Sequence, residues 1–165
     1  TILDIGSGTS TILNYLDNPK YYAYDINHSN IEFAKKKFGR KGVFKNKKFT
    51  NKEIINLPKF DYIFLFGVIH HMSNEEVTKL LKMLKRCLKT DGCLCSIDGV
   101  YLKKQNFLAK YLLKKDRGKH VRTKSEYIKI VNKSFTFLKT KIVHWKLFPY
   151  TYITIKMKKL SYKQC

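Results

Sequence analysis

Apolar and polar residues alternate along this chain in blocks that predict strands and helices in turn. Four short apolar runs each precede a glycine or an acid, and they lie at residues 2–5, 21–24, 62–66 and 93–97. Apolar residues recur at the spacing of one helix face at Val77, Leu80, Leu81, Leu84 and Leu88. Strands that alternate with helices in this way predict an α/β fold with a mostly parallel sheet.

The end of the chain has a different pattern, which predicts an antiparallel hairpin. Residues 135–145 and 150–157 each alternate apolar with polar positions, and Leu147-Phe148-Pro149 lies between them as a turn. The length of 165 residues fits one domain, so residues 1–165 are predicted to form it. No apolar run approaches the ~18 residues that a transmembrane helix needs, so no transmembrane segment is predicted.

A glycine-rich turn follows the first strand and is the strongest candidate for a ligand site. Gly6 permits a tight turn, and Gly8 lets a ligand approach the backbone because it has no Cβ. The next helix, predicted from about Thr11 to Tyr15, would present free N–H groups at its start. A dinucleotide fingerprint, G-x-G-x-x-G, requires a third glycine where this chain has Thr11, so that interpretation is excluded.

Two segments resemble class I S-adenosylmethionine-dependent methyltransferases that act on small molecules. The residues LDIGSGTS at 3–10 are similar to the first motif of that family, although its last glycine is replaced by Ser10. The residues FDYIFLFGVIHHM at 60–72 are similar to its fourth-strand segment. The resemblance implies a Rossmann-like, seven-stranded sheet with helices on both faces and a C-terminal antiparallel pair. It also implies that the chain lacks the family's usual N-terminal cap.

The resemblance assigns S-adenosylmethionine as the cofactor and names the residues that would bind it. An acid at the end of the second strand accepts hydrogen bonds from ribose hydroxyls, and Asp25 occupies that place; as an alternative, Asp25 or Asn27 caps the next helix. Thr50 and Asn51 are candidates for the adenine contact after the third strand. The expected cofactor-binding residues are Asp4, Gly6, Ser7, Gly8, Asp25, Ile26, Phe66 and Gly67.

Two adjacent histidines follow the fourth strand, where the methyl group to be transferred would lie. His71 is the predicted general base, and His70 is the less favoured choice. Packing or capping is the alternative role for either residue. No metal site is predicted, because adjacent residues seldom converge on one ion and no carboxylate partner is evident in the sequence.

The segment from Tyr101 to Lys124 is the predicted acceptor region. Asp98 and Tyr101 follow the fifth strand and would border the acceptor. In the family the same region commonly builds the acceptor pocket, and here it carries three cationic candidates for holding an anionic or polyhydroxyl acceptor: Arg117, His120 and Arg122. A solvated loop is the alternative interpretation.

The net charge bears on the binding partners to be expected, and the cysteines bear on the cellular compartment. The net charge of +22 suggests a nucleic acid or an anionic membrane, but only four of the 34 basic residues are arginine. Arginine is preferred for gripping phosphates and bases, so no specific nucleic-acid partner is expected. The four cysteines form no Cys-x-x-Cys pair and are interpreted as free thiols of a cytoplasmic protein.

The combined prediction is a methyltransferase that moves a methyl group from S-adenosylmethionine to a small-molecule acceptor, such as a sugar or another hydroxyl compound. Two alternatives stay open. The first is an RNA methyltransferase, although the fourth-strand segment lacks the proline that base-modifying relatives often carry there. The second is a non-catalytic cofactor-binding module. The sequence leaves the oligomeric state undetermined.

Overall fold

The computed structural model describes residues 1–116, 118–144 and 149–159. Within these residues the strands are β1 Ile2–Ile5, β2 Tyr21–Asp25, β3 Gly42–Asn46, β4 Phe60–Phe66, β5 Leu88–Tyr101, β6 Arg122–Thr123, β7 Phe137–His144 and β8 Thr151–Lys158. The α-helices are α1 His28–Phe38, α2 Asn51–Ile54, α3 Asn74–Cys87, α4 Phe107–Lys115 and α5 Lys124–Val131. Short 3-10 helices occur at Thr11–Tyr15, Gly39–Lys41 and Ile69–His71.

The strands form one sheet in the order β3-β2-β1-β4-β5-β8-β7. The first five strands are parallel to one another, and β8 runs antiparallel to both β5 and β7. The two-residue β6 pairs with the end of β5 outside this order. The predicted α/β fold with a mostly parallel sheet and an antiparallel C-terminal pair is therefore confirmed, and β6 is an additional strand.

The strand order places the candidate site residues at one edge of the sheet. β1 lies between β2 and β4, with Asp4 paired to Ala23 on one side and Phe64 on the other. The chain thus leaves β1 in one direction and later returns to its opposite side. Such a reversal opens a crevice beyond the carboxyl ends of the strands, where α/β proteins bind ligands.

Helices cover the two faces of the sheet unequally. On one face α3 packs its apolar side into the larger core and fully buries Val77, Leu81 and Leu84. On the other face α1 buries Ile31 and Ala34 in a smaller core. Burying such side chains is worth about 1.5–3 kcal/mol each for the larger ones, so the α3 face contributes most of the apolar stabilisation.

The continuous apolar run of the fourth strand is typical of a strand buried on both faces, but only one of its faces is fully buried. Ile63 and Leu65 are fully buried towards α3, but Tyr62 on the opposite face is 45% exposed. Phe64 and Phe66 share that face, and their rings stack at a centroid distance of 4.8 Å. The continuous apolar run conceals this difference because aromatic residues pack on one another while they remain partly exposed.

Several element boundaries differ from the predicted ones. The first helix is only a 3-10 helix over Thr11–Tyr15. α3 ends at Cys87, and β5 begins at Leu88 instead of Cys93. A register shift near Phe60 accommodates the extra residues of β5. Two of the three predicted hairpin-turn residues, Leu147 and Phe148, lie outside the described residues.

No helix in the described part of the chain is long and apolar enough to cross a membrane. This agrees with the sequence, in which no apolar run reaches that length.

Arg122 on β6 ties the C-terminal half of the chain to the turn after β4. Its guanidinium donates to the backbone oxygens of Ile69 at 3.1 Å and His120 at 2.8 Å, and also to that of Met72. Its Nε donates to Oδ1 of Asn74 at 3.0 Å. The residue is only 6% exposed. This buried fork is a structural clamp, because its donors are directed at groups of the protein itself.

The clamp predicts that Arg122→Lys destabilises the fold although the charge is kept. A lysine ammonium cannot reach four acceptors that diverge around a planar fork, so buried carbonyl groups lose their partners. We expect the free energy of unfolding to fall by about 2–4 kcal/mol in urea denaturation. The matched control Arg40→Lys changes an exposed arginine and should stay within about 0.5 kcal/mol of wild type. Equal urea midpoints for the two variants would contradict the clamp.

Candidate active site

The glycine turn after β1 adopts a backbone that requires its first glycine. Gly6 has a φ of 67°, and a Cβ built on it would lie 2.6 Å from Cγ2 of Val68. The turn therefore packs directly against the segment that follows β4. Ser10, which replaces the family's last glycine, keeps a left-handed φ of 54° and is buried. The conformation of the motif thus survives the replacement.

Gly8 is the point at which the turn opens towards the crevice. Its φ is 53°, and no described atom lies within 4 Å of a Cβ built on it. Its amide donates a 2.7 Å hydrogen bond to Oδ2 of Asp25. The open space over this backbone is what a bound ligand would fill, and the neighbouring Ser7 hydroxyl is buried without a partner among the described residues.

Asp25 ends β2 and connects the glycine turn to the start of α1. Its Oδ1 accepts a 2.7 Å hydrogen bond from the amide of Asn27, while Oδ2 accepts the one from Gly8. The N-cap of α1 is Asn27, whose side chain accepts from the amide of Asn30. Capping is thus done by Asn27, and Asp25 instead fixes the two loops that border the crevice. Ile26 beside it is 77% exposed.

Asp4 is a buried carboxylate on β1 immediately before the glycine turn. It is 3% exposed, and the hydroxyl of Tyr21 donates to its Oδ2. Its Oδ1 is buried and has no hydrogen-bond partner among the described residues. Burial raises the pKa of Asp4 to about 7, against the opposing effect of the Tyr21 hydrogen bond. A cation placed next to Oδ1 would therefore favour the ionised form of Asp4.

The adenine candidates after β3 have local structural roles. Thr50 is the N-cap of α2, and it forms a capping box with Glu53. Asn51 is the first residue of α2. Asn46, which sequence reasoning missed, donates from its side chain to the backbone oxygens of Asp25 at 3.1 Å and Ile26 at 3.0 Å. It braces the loop that carries the expected ribose-binding acid.

Phe66 and Gly67 occupy the end of β4, opposite the glycine turn. Gly67 has a φ of 71°, and its amide donates a 2.7 Å hydrogen bond to the backbone oxygen of Ile97 on β5. This turn directs the chain into the 3-10 helix Ile69–His71, which we call the histidine turn. Its place at the carboxyl edge of the sheet was predicted and is confirmed.

The two histidines of this turn have different environments. His70 is 7% exposed, and its Nδ1 lies 2.8 Å from Oδ1 of Asp98, a fully buried residue at the end of β5. The amide of His70 donates to the same oxygen at 3.1 Å. His71 is exposed, with its ring centroid 4.2 Å from that of His70. The buried histidine is thus oriented by Asp98, and the exposed one lies beside it.

Asp116, which follows α4, is a site residue that sequence reasoning missed. Its Oδ1 lies 3.5 Å from Nε2 of His70 and accepts a 2.8 Å hydrogen bond from the amide of Gly118. The hydroxyl of Tyr150 donates to its Oδ2. Although partial burial opposes it, these hydrogen bonds hold the pKa of Asp116 below its usual range. Burial, together with the bond to Asp116, raises the pKa of Tyr150.

The prediction of no metal site rested partly on the lack of a carboxylate beside the histidine pair, and the same cluster shows that this premise is wrong. His70, His71 and Asp116 each offer one ligand atom, and these atoms lie within 4.8 Å of one another. Carboxylates therefore do lie beside the histidine pair, because both Asp98 and Asp116 approach His70. The sequence concealed them since Asp98 is 28 residues from His70. The absence of a metal site stays a prediction.

The predicted acceptor-binding cations are only partly at the site. Arg122 is buried in its clamp and is unavailable to an acceptor, which corrects the expectation that it holds one. The side chain of His120 is exposed and borders a cavity of about 660 Å³ between α3 and α5, while its amide donates to the backbone oxygen of His70 at 2.9 Å. Tyr101 is half-buried at the end of β5. Arg117 lies outside the described residues.

Several solved protein structures are similar to this chain in architecture. The chain is similar to a SAM-dependent methyltransferase from Archaeoglobus fulgidus, with 16% identity, a TM-score of 0.73, and coverage of 96% of this chain and 85% of that one. It is similar to human N-acetylserotonin methyltransferase in complex with SAM, with 18% identity, a TM-score of 0.71, and coverage of 97% and 47%.

The mitomycin 7-O-methyltransferase MmcR is also similar, with 18% identity, a TM-score of 0.70, and coverage of 95% of this chain and 48% of that one. The chain thus spans about half the length of MmcR and of the human enzyme. At these identities the likeness shows the fold. A search among curated proteins finds no match.

The sequence itself carries the family assignment. The family model described as a methyltransferase domain matches residues 3–94. The match begins in β1, includes the glycine turn, Asp25 and the histidine turn, and ends within β5. It covers more than half of the 165 residues, so the chain belongs to the methyltransferase domain family.

Proposed function

We propose that this protein transfers a methyl group from S-adenosylmethionine to a hydroxyl group of a small molecule. The observation that carries the proposal is the open backbone at Gly8, whose amide is held 2.7 Å from Oδ2 of Asp25. A backbone without a Cβ beside a fixed carboxylate suits a nucleoside ligand, because the ribose approaches the turn and its hydroxyls donate to the acid.

The residues around the crevice fit the parts of this cofactor. Asp25 uses its oxygens for two amides but keeps further lone pairs for ribose hydroxyls. The orphaned Oδ1 of Asp4 suits the cofactor's ammonium group. Gly6 and Ser7 shape the glycine turn that follows Asp4. Ile26, 77% exposed, and Phe66 offer apolar contacts at the two sides of the crevice, and Gly67 turns the chain beside Phe66.

When bound, S-adenosylmethionine supplies an electrophilic methyl carbon on a sulfonium and leaves as S-adenosylhomocysteine. The chain has to hold the acceptor oxygen about 3–3.5 Å from that carbon and in line with it. His71 is exposed at the carboxyl edge of the sheet, where it takes the proton of the acceptor hydroxyl. His70 orients the turn through Asp98, and the buried Arg122 holds the turn's backbone.

The names of structural neighbours support a hydroxyl acceptor. One is described as a mitomycin 7-O-methyltransferase and another, from Nostoc punctiforme, as a putative O-methyltransferase. An RNA methyltransferase is the second candidate, favoured by the net charge of +22. A cofactor-binding module without turnover is the third, and it is separated from the first two by a methyl-donor assay against pooled small hydroxyl compounds and RNA.

The first test concerns Asp25 and the cofactor. Asp25→Asn keeps an acceptor for the Gly8 amide but removes the charge, so we expect weaker S-adenosylhomocysteine binding by about 1–3 kcal/mol, or roughly 5- to 150-fold in Kd. Titration calorimetry measures this. The control Asp91→Asn alters an exposed acid in β5 near the opposite edge of the sheet and should bind as wild type does. Unchanged affinity in Asp25→Asn would remove Asp25 from the site.

The second test concerns the ionisation of Asp4. Its pKa of about 7 means that much of it is protonated at and below neutral pH. A cationic ligand beside Oδ1 lowers that pKa, so binding of S-adenosylhomocysteine should release protons, and its affinity should rise as the pH increases through about 7. Calorimetry in buffers of different ionisation enthalpy counts the protons. In Asp4→Asn the proton release attributable to Asp4 should vanish; identical release in wild type and variant would contradict the role.

The third test concerns the base. His71→Gln should lower kcat about 10²- to 10⁴-fold while S-adenosylhomocysteine affinity stays within error, because the base faces the acceptor and not the ribose. His144→Gln, which changes an exposed histidine of β7, is the matched control. His70→Gln should chiefly lower the melting temperature, since it breaks the buried contact with Asp98. A folded, inactive His70→Gln beside an active His71→Gln would move the base to His70.

A further inference from the structure

The outer face of α4 exposes an apolar surface. Phe107 is 84% exposed, and Leu108 and Tyr111 are each 49% exposed. On its inner face the helix buries Ala109 and Leu113. The helix is thus anchored in the fold by one side and presents aromatic and aliphatic groups to the surroundings by the other.

Lysines lie beside and within this apolar surface. At 100° per residue, Phe107 and Tyr111 lie 40° apart at the centre of the outer face. Lys110 and Lys114 fall on one side of them, and Lys115 falls on the other, between Tyr111 and Leu108, with its Nζ 5.9 Å from the centroid of the Tyr111 ring. Such lysines can lay their alkyl stems along apolar surface while their ammonium groups reach outwards.

The charge of this segment has one sign only. Between Asp98 and Asp116 the charged residues are all lysines, namely Lys103, Lys104, Lys110, Lys114 and Lys115. The segment contains no arginine, the residue preferred for gripping nucleic-acid phosphates and bases. A second copy of the same face would bring these lysines against each other, so self-association through α4 is disfavoured.

We propose that the outer face of α4 docks on the surface of an anionic lipid bilayer. Phe107, Leu108 and Tyr111 enter the boundary between headgroups and acyl chains, and the flanking lysines contact anionic headgroups. The nine-residue α4 is far too short to span a bilayer and lies along the surface instead. Aromatic and aliphatic groups accompanied by lysines are typical of a helix that lies in the membrane interface.

The docked helix would also bring the bilayer to the candidate active site. α4 follows the carboxyl end of β5, and Asp116, the residue after its last one, contacts His70. The docking itself depends only on the surface of α4 and is independent of the proposed methyl transfer.

The test is co-sedimentation of the full chain with vesicles of phosphatidylcholine alone or mixed with phosphatidylserine. We expect binding to the mixed vesicles that weakens steeply as salt is raised, and little binding to phosphatidylcholine alone. Phe107→Ala/Tyr111→Ala should reduce the partition coefficient at least about 10-fold. The control Tyr15→Ala/Ile55→Ala removes two apolar side chains that are each 83% exposed elsewhere and should bind as wild type does.

A charge variant and a spectroscopic variant complete the test. Lys110→Gln/Lys114→Gln/Lys115→Gln should reduce partitioning about 10- to 100-fold, whereas Lys36→Gln/Lys37→Gln/Lys41→Gln, on α1 and the turn after it, should not. Phe107→Trp should shift its emission to shorter wavelength with mixed vesicles, relative to the wild-type background. S-adenosylhomocysteine affinity should be the same in all variants, so that failure of docking and failure of the cofactor site are distinguishable.

Three outcomes would overturn the proposal. The first is equal partitioning of the α4 and control variants. The second is equal binding to vesicles with and without phosphatidylserine. The third is that an RNA oligonucleotide competes with vesicles for the protein, and that the α4 variants lose RNA binding but still bind vesicles as wild type does.

Discussion

The buried guanidinium of Arg122 is the interaction on which the conformation of the histidine turn depends. It joins the carbonyls at the two ends of the histidine turn, through Ile69 and Met72, to the backbone of His120. A charged group that is 6% exposed has to regain by hydrogen bonds what it loses in hydration. Its planar fork does so only if the carbonyls stay where they are, and the turn is therefore held in one conformation.

The position of the histidines follows from this constraint. Once the backbone of the turn is fixed, Asp98 reaches both the amide and Nδ1 of His70 with one oxygen. Gly118 packs so closely against His70 that a Cβ on it would lie 2.0 Å from Cδ2 of the ring. His70 is thus enclosed between β5 and the segment after α4, and His71 beside it is left on the exposed side. Burial of one histidine thus accompanies exposure of its neighbour.

The sequence predicted the surroundings of the glycine turn better than those of the histidine turn. The glycine turn and Asp25 are encoded locally: the hydrogen bond from Gly8 to Asp25 spans 17 residues along the chain, and each partner follows a strand that its apolar run identifies. The surroundings of the histidine turn are built by longer-range contacts. Arg122 reaches Ile69 across 53 residues, and Tyr150 reaches Asp116 across 34. Neither pair has a periodic or compositional signal, so Arg122 was assigned to an acceptor and Asp116 was overlooked.

The same division explains which features of the fold were predicted and which were not. The mostly parallel sheet follows from the alternation of strands and helices, since each helical crossover returns the chain to a parallel strand. The exposure of each face of a strand or helix does not follow from this alternation. Tyr62 on β4 and Phe107 on α4 are aromatic residues that a pattern of apolar positions assigns to the core, yet they are 45% and 84% exposed. Apolar periodicity identifies the elements, but only the packing of distant segments decides which apolar faces are covered, and an uncovered face on a lysine-rich helix is where a surface partner can bind.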